Sequence, residues 1–108
     1  MKVYRSISVD KHLWIKTMLG FAQKSKKIVS GESAVKACLK KEKIYLLIIA
    51  EDLSDSRKKH WEYLAQDLRI PVLTIGSKFE LGIALGQSPR SVIGITDRDL
   101  ARTILTRG

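Results

Sequence analysis

Residues 44–50 read IYLLIIA, seven apolar side chains without a break. A strand with one wet face alternates apolar and polar residues, because successive side chains point to opposite sides of the sheet. An unbroken run therefore reads as a strand covered on both faces, as in a sheet sandwiched between helices.

The segments on either side agree. Upstream, Asp10 is a suitable N-cap for KHLWIKTMLGFAQK, in which Leu13, Ile15, Met18, Leu19 and Ala22 recur at helical spacing. Lys26–Ser30 reads as a short strand, and Gly31–Lys41 as a helix with Val35, Cys38 and Leu39 inward. Downstream, EDLSDS (51–56) is a loop in which Ser54 or Asp55 caps a helix over Arg57–Asp67, with Trp61, Leu64 and Leu68 on its apolar edge. Pro71 closes the next turn and VLTI (72–75) is a strand. Ser77 and Glu80 carry the S-x-x-E signature of a capping box, so another helix opens there and stops at Gly86. After a loop at Ser88–Ser91, VIGIT (92–96) is the last strand, and Asp97 caps a final helix through Leu105 with Leu100, Ala101 and Ile104 inward.

Helices and strands thus alternate. The expected fold is a single-domain three-layer α/β/α sandwich around a central, mostly parallel mixed sheet. Residues 10–108 form that domain, and the alternating start MKVYRSISV (1–9) is an N-terminal tail or an edge strand. The length, 108 residues with 44% hydrophobic content, suits one small packed core. No apolar run approaches the ~20 residues that cross a bilayer, and the start has no apolar stretch of signal-peptide type, so the expected address is cytoplasmic with no membrane partner.

Charge is distributed unevenly. Residues 1–43 hold 11 Lys+Arg against 3 Asp+Glu, nearly all of the formal net charge of +9. A basic excess gathered in one part of a chain is the electrostatic footprint of nucleic-acid binding. Catalytic signals are absent. The single cysteine, Cys38, reads as a small buried residue, and two histidines give no metal-ligand spacing. His12 and His60 have no nucleophile or acid at motif spacing, and Trp14 and Trp61 lie in helical patterns as packing residues. Glu51 and Asp52 are adjacent acids at a strand end, which could hold Mg²⁺ but more simply open a loop; neither a phosphate-loop motif nor GxGxxG accompanies them. No catalytic residue, metal or cofactor is expected.

In an open α/β sheet, ligands meet the loops beyond the carboxyl ends of the strands: here Ser30–Gly31, Glu51–Asp52, Gly76–Ser77 and Thr96–Asp97. The first stands out. A helix N-terminus presents free N–H groups and a partial positive charge, and glycine lets another backbone come close. Lys24, Lys26 and Lys27 precede Gly31, and Lys36, Lys40 and Lys41 follow it, a combination suited to a phosphodiester backbone.

Four segments, KKIVSGESAVKA, LLIIAED, RIPVLTIGSKFELGIALG and SVIGITD, resemble the kink-turn RNA-binding ribosomal proteins of archaea and eukaryotes (the seven-Ae and thirty-e superfamily). The likeness is greatest to its small bacterial branch, the YlxQ-like proteins, and covers about residues 12–106. It implies the same sandwich fold and RNA binding without catalysis. It also implies a lysine contact to RNA at Lys78. In kink-turn binders an Asn, a Glu and a Lys stand two, three and six residues after the glycine and read the kink; this chain has Ser33, Ala34 and Ala37. Glu32 and Lys36 are each one residue out of place, about 100° around a helix. The loop Gln87–Arg90 is polar and cationic, as in the bacterial branch.

The resulting expectation is non-enzymatic binding of structured RNA, ribosomal or related to ribosome assembly and translation, by backbone and shape rather than by the kink-turn reading set. Its residues are Lys26, Lys27, Gly31, Glu32, Ser33, Lys36, Lys78 and Arg90. Ribosome-associated or translation-associated proteins are further expected partners. The alternative is a protein-interaction module on the same fold, docking an acidic partner through the basic face.

Overall fold

The computed structural model describes Val3–Tyr4 and residues 9–107. In chain order the elements are β1 (Val3–Tyr4), α1 (Val9–Lys24), β2 (Ile28–Ser30), α2 (Glu32–Lys41), β3 (Leu46–Ile49), α3 (Asp55–Asp67), β4 (Val72–Thr74), α4 (Lys78–Leu85), β5 (Val92–Ile95) and α5 (Arg98–Arg107). Of the alternating start, Val3–Tyr4 is the edge strand β1 and Val9 already belongs to α1; residues 1–2 and 5–8 lie outside the described residues. Asp10 is accordingly inside the first turn of α1 rather than its cap.

The sheet order is β1-β4-β3-β5-β2. β1 pairs with β4 and β4 with β3 in parallel, whereas β5 runs antiparallel to both β3 and β2. Four strands therefore point one way and β5 alone points back. This reversal corrects one placement made from the sequence. The carboxyl ends of β2, β3 and β4 share one end of the sheet with the start of β5, but Thr96–Asp97 lies at the opposite end, where the Thr96 N–H donates to the Lys27 carbonyl (2.9 Å).

The apolar run of β3 is buried as its composition requires. Leu46, Ile48 and Ala50 belong to a core with Ile15 and Leu19 of α1, Leu81 and Leu85 of α4, and Ala101 and Ile104 of α5. Leu47 and Ile49 belong to the core on the other face, with Val35 of α2 and Trp61 and Ala65 of α3. A side-chain period of two thus feeds two cores from one uninterrupted run. Two helix edges read from the sequence face outward instead: Leu13 is 63% exposed and Leu68, the C-cap of α3, 46%. Cys38 is half-buried, and burial followed by the Glu42 carboxylate beside it pushes its thiol up, away from the reactive thiolate.

Candidate nucleic-acid interface

Three helices that follow parallel-directed strands, α2, α3 and α4, open at the same end of the sheet. Their N-termini and the α4–β5 loop form a rim. Gly31 is the N-cap of α2 with φ 96° and ψ 141°, a conformation open essentially to glycine alone. Space is not the constraint there: a Cβ at Gly31 would come no nearer than 4.0 Å to the Arg90 side chain. At α4 the capping box is complete, with Ser77 accepting from the Glu80 N–H and Glu80 accepting from the Ser77 N–H. These bonds, and Lys16 beside it, hold Glu80 below the usual carboxylate range despite the smaller upward push of burial.

The rim is tied together across elements. The Lys78 N–H donates to Asp52 Oδ1 (3.0 Å), and the Glu51 N–H to the Gly76 carbonyl (2.7 Å). The acid pair therefore joins the β3–α3 loop to the start of α4. Among the described residues no group of three or more His, Cys, Asp or Glu could hold a metal ion.

The loop after α4 folds back along its own helix. Gly86 takes the left-handed conformation that ends α4, the Gln87 N–H donates to the Gly82 carbonyl, and the Arg90 N–H donates to the Lys78 carbonyl. Gly82 makes this close return practicable, since a Cβ there would lie 2.5 Å from the Ser88 carbonyl oxygen and 2.9 Å from Pro89 Cα. Arg90 then braces the loop to β2: its Nε donates to Ser30 Oγ (3.2 Å), and the Ser30 hydroxyl donates to Gln87 Oε1 (2.9 Å). Its Nη1 donates to Ser88 Oγ (2.7 Å) and to the carbonyls of Ser88 and Pro89.

The eight residues singled out in the sequence do not all meet. Gly31, Ser33, Lys78 and Arg90 lie at the rim, with Ser33 and Lys78 exposed. Lys36 is one turn further along α2, its ammonium 5.8 Å from the Trp61 ring centroid, beside a notch of about 220 Å³ lined with Glu32, Ser56, Arg57 and His60. Glu32 is occupied within the protein: it pairs with the Arg57 guanidinium and accepts from Trp61 Nε1 (2.8 Å). Burial pushes its carboxyl up, but these donors and the charges of Arg57 and Lys36 outweigh that and hold it below the usual range.

Lys26 and Lys27 stand apart. They precede β2, and four residues of extended chain, at about 3.3 Å each, put Lys27 about 13 Å from Gly31. Lys26 has φ 58° and closes α1, with the Lys27 N–H donating to the Ala22 carbonyl. Sequence reasoning placed Ser30, Asp52 and Gln87 in loops but not against their partners, which are distant in the chain; Gly82 at least carried a signal, as the inner glycine of SKFELGIALG.

Compared with known families, residues 14–104 match the Ribosomal protein L7Ae/L30e/S12e/Gadd45 family. RNA-binding protein YlxQ of Bacillus subtilis is 27% identical over 89 residues, 82% of this chain and 89% of that protein. RNA-binding protein YlxQ of Enterococcus faecium is 28% identical over 85 residues, 79% of this chain and 82% of that protein. A solved Bacillus halodurans protein of unknown function superposes with a TM-score of 0.78 at 27% identity, covering 84% of this chain and 92% of that one. The Giardia lamblia 15.5kD RNA binding protein superposes with a TM-score of 0.74 at 24% identity, over 94% and 86% of the two chains, a likeness of fold.

Proposed function

The chain belongs to the Ribosomal protein L7Ae/L30e/S12e/Gadd45 family, and on that premise we propose that it is a non-enzymatic, cytoplasmic binder of structured RNA, acting in the ribosome, its assembly or translation. The observation that carries the reading is the rim. The N-termini of α2, α3 and α4 open beside Lys78 and Arg90, with Lys36 one turn away, so partial and full positive charges face one region. The relatives named RNA-binding protein YlxQ support an RNA partner.

Contacts to phosphate come from Lys36, Lys78 and the Arg90 loop, while Gly31 and exposed Ser33 let a backbone come close. With Ala34 and Ala37 on α2 and Glu32 engaged by Arg57 and Trp61, the helix offers few groups to base edges. Recognition is of RNA shape and backbone. Lys26 and Lys27, at the other end of β2, belong to the general field rather than to this contact.

A hairpin RNA with a three-nucleotide bulge flanked by sheared G·A pairs, titrated in a filter-binding assay at rising salt, tests this. Each neutralised phosphate adds about −0.7 to −0.9 to the slope of log affinity against log salt, so two to three contacts give a slope of about −1.4 to −2.7. Affinity no better than about 10⁻⁴–10⁻⁶ M for this hairpin and for ribosomal RNA fragments removes specific RNA binding. Unchanged RNA affinity in a Lys36→Glu, Lys78→Glu double variant that loses a protein partner instead favours the protein-docking role.

A further inference from the structure

Phe79 is 57% exposed although it is a large apolar ring. It is the second residue of α4, and its neighbours in that turn all have rim tasks: Ser77 and Glu80 cap the helix, and the Lys78 backbone is bonded to Asp52 on one side and to Arg90 on the other. The ring therefore stands on a turn fixed from three directions. Phe21, Tyr63 and Phe79 are the Phe or Tyr rings prominently exposed among the described residues. Phe21 lies near the end of α1 and Tyr63 in the later half of α3; only Phe79 lies in the first turn of a helix that opens at the rim. The Lys78 ammonium is 5.4 Å from its ring centroid.

We propose that Phe79 is a stacking platform for one unpaired base of the bound RNA, with Lys78 taking the phosphate of the same or the adjoining nucleotide. This rests on the RNA-binding role of the rim. An unpaired nucleotide presents a flat apolar face and an anion a few ångströms apart, and Phe79 with Lys78 presents the complementary pair. Single-stranded bulges and loops are recognised in this way, by splaying a base onto an aromatic side chain. Stacking tolerates any base because every base has a π-face, which suits an interface whose α2 positions carry Ser33, Ala34 and Ala37. Ile83, one turn beyond Phe79 and 78% exposed, extends the apolar strip away from the rim. A protein could dock along Phe79 and Ile83, but the lysine against the ring favours a nucleotide, whose phosphate it can take.

The test compares Phe79→Ala, Phe79→Leu and Phe79→Trp on two RNAs, the bulged hairpin and the same stem fully paired. Because the ring is exposed, all three variants should unfold near the wild-type temperature. Phe79→Ala should weaken binding of the bulged hairpin by about 5- to 150-fold, the usual range for losing one base–aromatic stack, and change binding of the paired stem far less. Phe79→Leu should behave like Phe79→Ala, and Phe79→Trp should bind like the wild type with its indole fluorescence quenched on binding. Wild-type affinity for the bulged hairpin in Phe79→Ala or in Phe79→Leu overturns the proposal and leaves RNA binding standing. So does a wild type that self-associates in sedimentation through Phe79 while the variant keeps its RNA affinity. A wild type that binds neither RNA beyond the non-specific range overturns the underlying RNA reading and the platform together.

Discussion

The two ends of the sheet carry cations for different reasons. At the rim, helices begin. Backbone N–H groups of α2, α3 and α4 point outward, and Lys78 and Arg90 add full charges to their partial positive ones, with the acids Glu51, Asp52 and Asp55 at the same end. At the opposite end α1, α2 and α3 finish, and α5 begins. Lys24 is in the last turn of α1, Lys40 and Lys41 are in the last turn of α2, and Lys26 and Arg69 hold the left-handed positions after α1 and α3. Cations there face carbonyl ends and offset the helix dipoles. Much of the basic excess of residues 1–43 is thus helix-end chemistry, and a lysine count along the chain overstates how much charge meets a ligand. What distinguishes the rim is less its number of lysines than its cross-links between loops.

The largest test of that contrast is to loosen the rim without touching a charge. Gly82→Ala sets a Cβ 2.5 Å from a backbone oxygen, and backbone cannot swing aside as a lysine tip would. The Gln87–Arg90 loop must lift from α4, breaking the brace from Arg90 to Ser30. Overpacking of this kind costs about 1–3 kcal/mol, read as a lower midpoint in urea unfolding. RNA affinity should fall as well although every cation remains. An unchanged midpoint with unchanged affinity would show that the loop's close return is dispensable.

A paired substitution separates the two ends directly. Lys26→Gly removes a charge but relieves a left-handed lysine, and it should raise stability by about 0.5–1 kcal/mol, because the strain relieved exceeds the entropy glycine adds. Its salt slope for RNA should stay that of the wild type. Lys78→Ala should leave stability nearly unaltered and reduce the slope by about 1, the signature of one lost phosphate contact. If Lys26→Gly changes the slope as much as Lys78→Ala does, both ends face RNA and the contrast fails.

How much of this was legible in the sequence follows from what each residue type encodes. The apolar run 44–50, the capping box at Ser77–Glu80 and the glycine stop at Gly86 are local signals, and all three stand in the structure where they were read. Strand direction is not local. Val92–Ile95 is buried on both faces whichever way it runs, so its reversal, and with it the misplacement of Thr96–Asp97, was hidden in the tight return of the preceding loop on Gly82. Lys26 and Lys27 looked adjacent to Gly31 because sequence distance is short, yet an extended strand turns five residues into a separation of ends. Glu32 looked like a displaced reading residue; its partners Arg57 and Trp61 lie 25 and 29 positions away and leave no trace in its own neighbourhood.

Glu32 also gives the finest test, because it decides whether the first turn of α2 is a reader or a brace. Its carboxyl is held below the usual range, so the folded state binds a proton there less readily than the unfolded chain, whose ordinary value is about 4.5. The corresponding stability is present above that value and is lost as pH falls through the lower folded value. Wild-type stability should therefore decline more steeply below about pH 4.5 than that of Glu32→Gln, while at neutral pH the variant should be the less stable of the two by a small margin, the pair with Arg57 being part-exposed. An acid limb identical in both proteins would mean that the Arg57 and Trp61 bonds contribute nothing in solution. The first turn of α2 would then hold a free acid beside Lys36, and a role for Glu32 at the RNA surface would have to be restored.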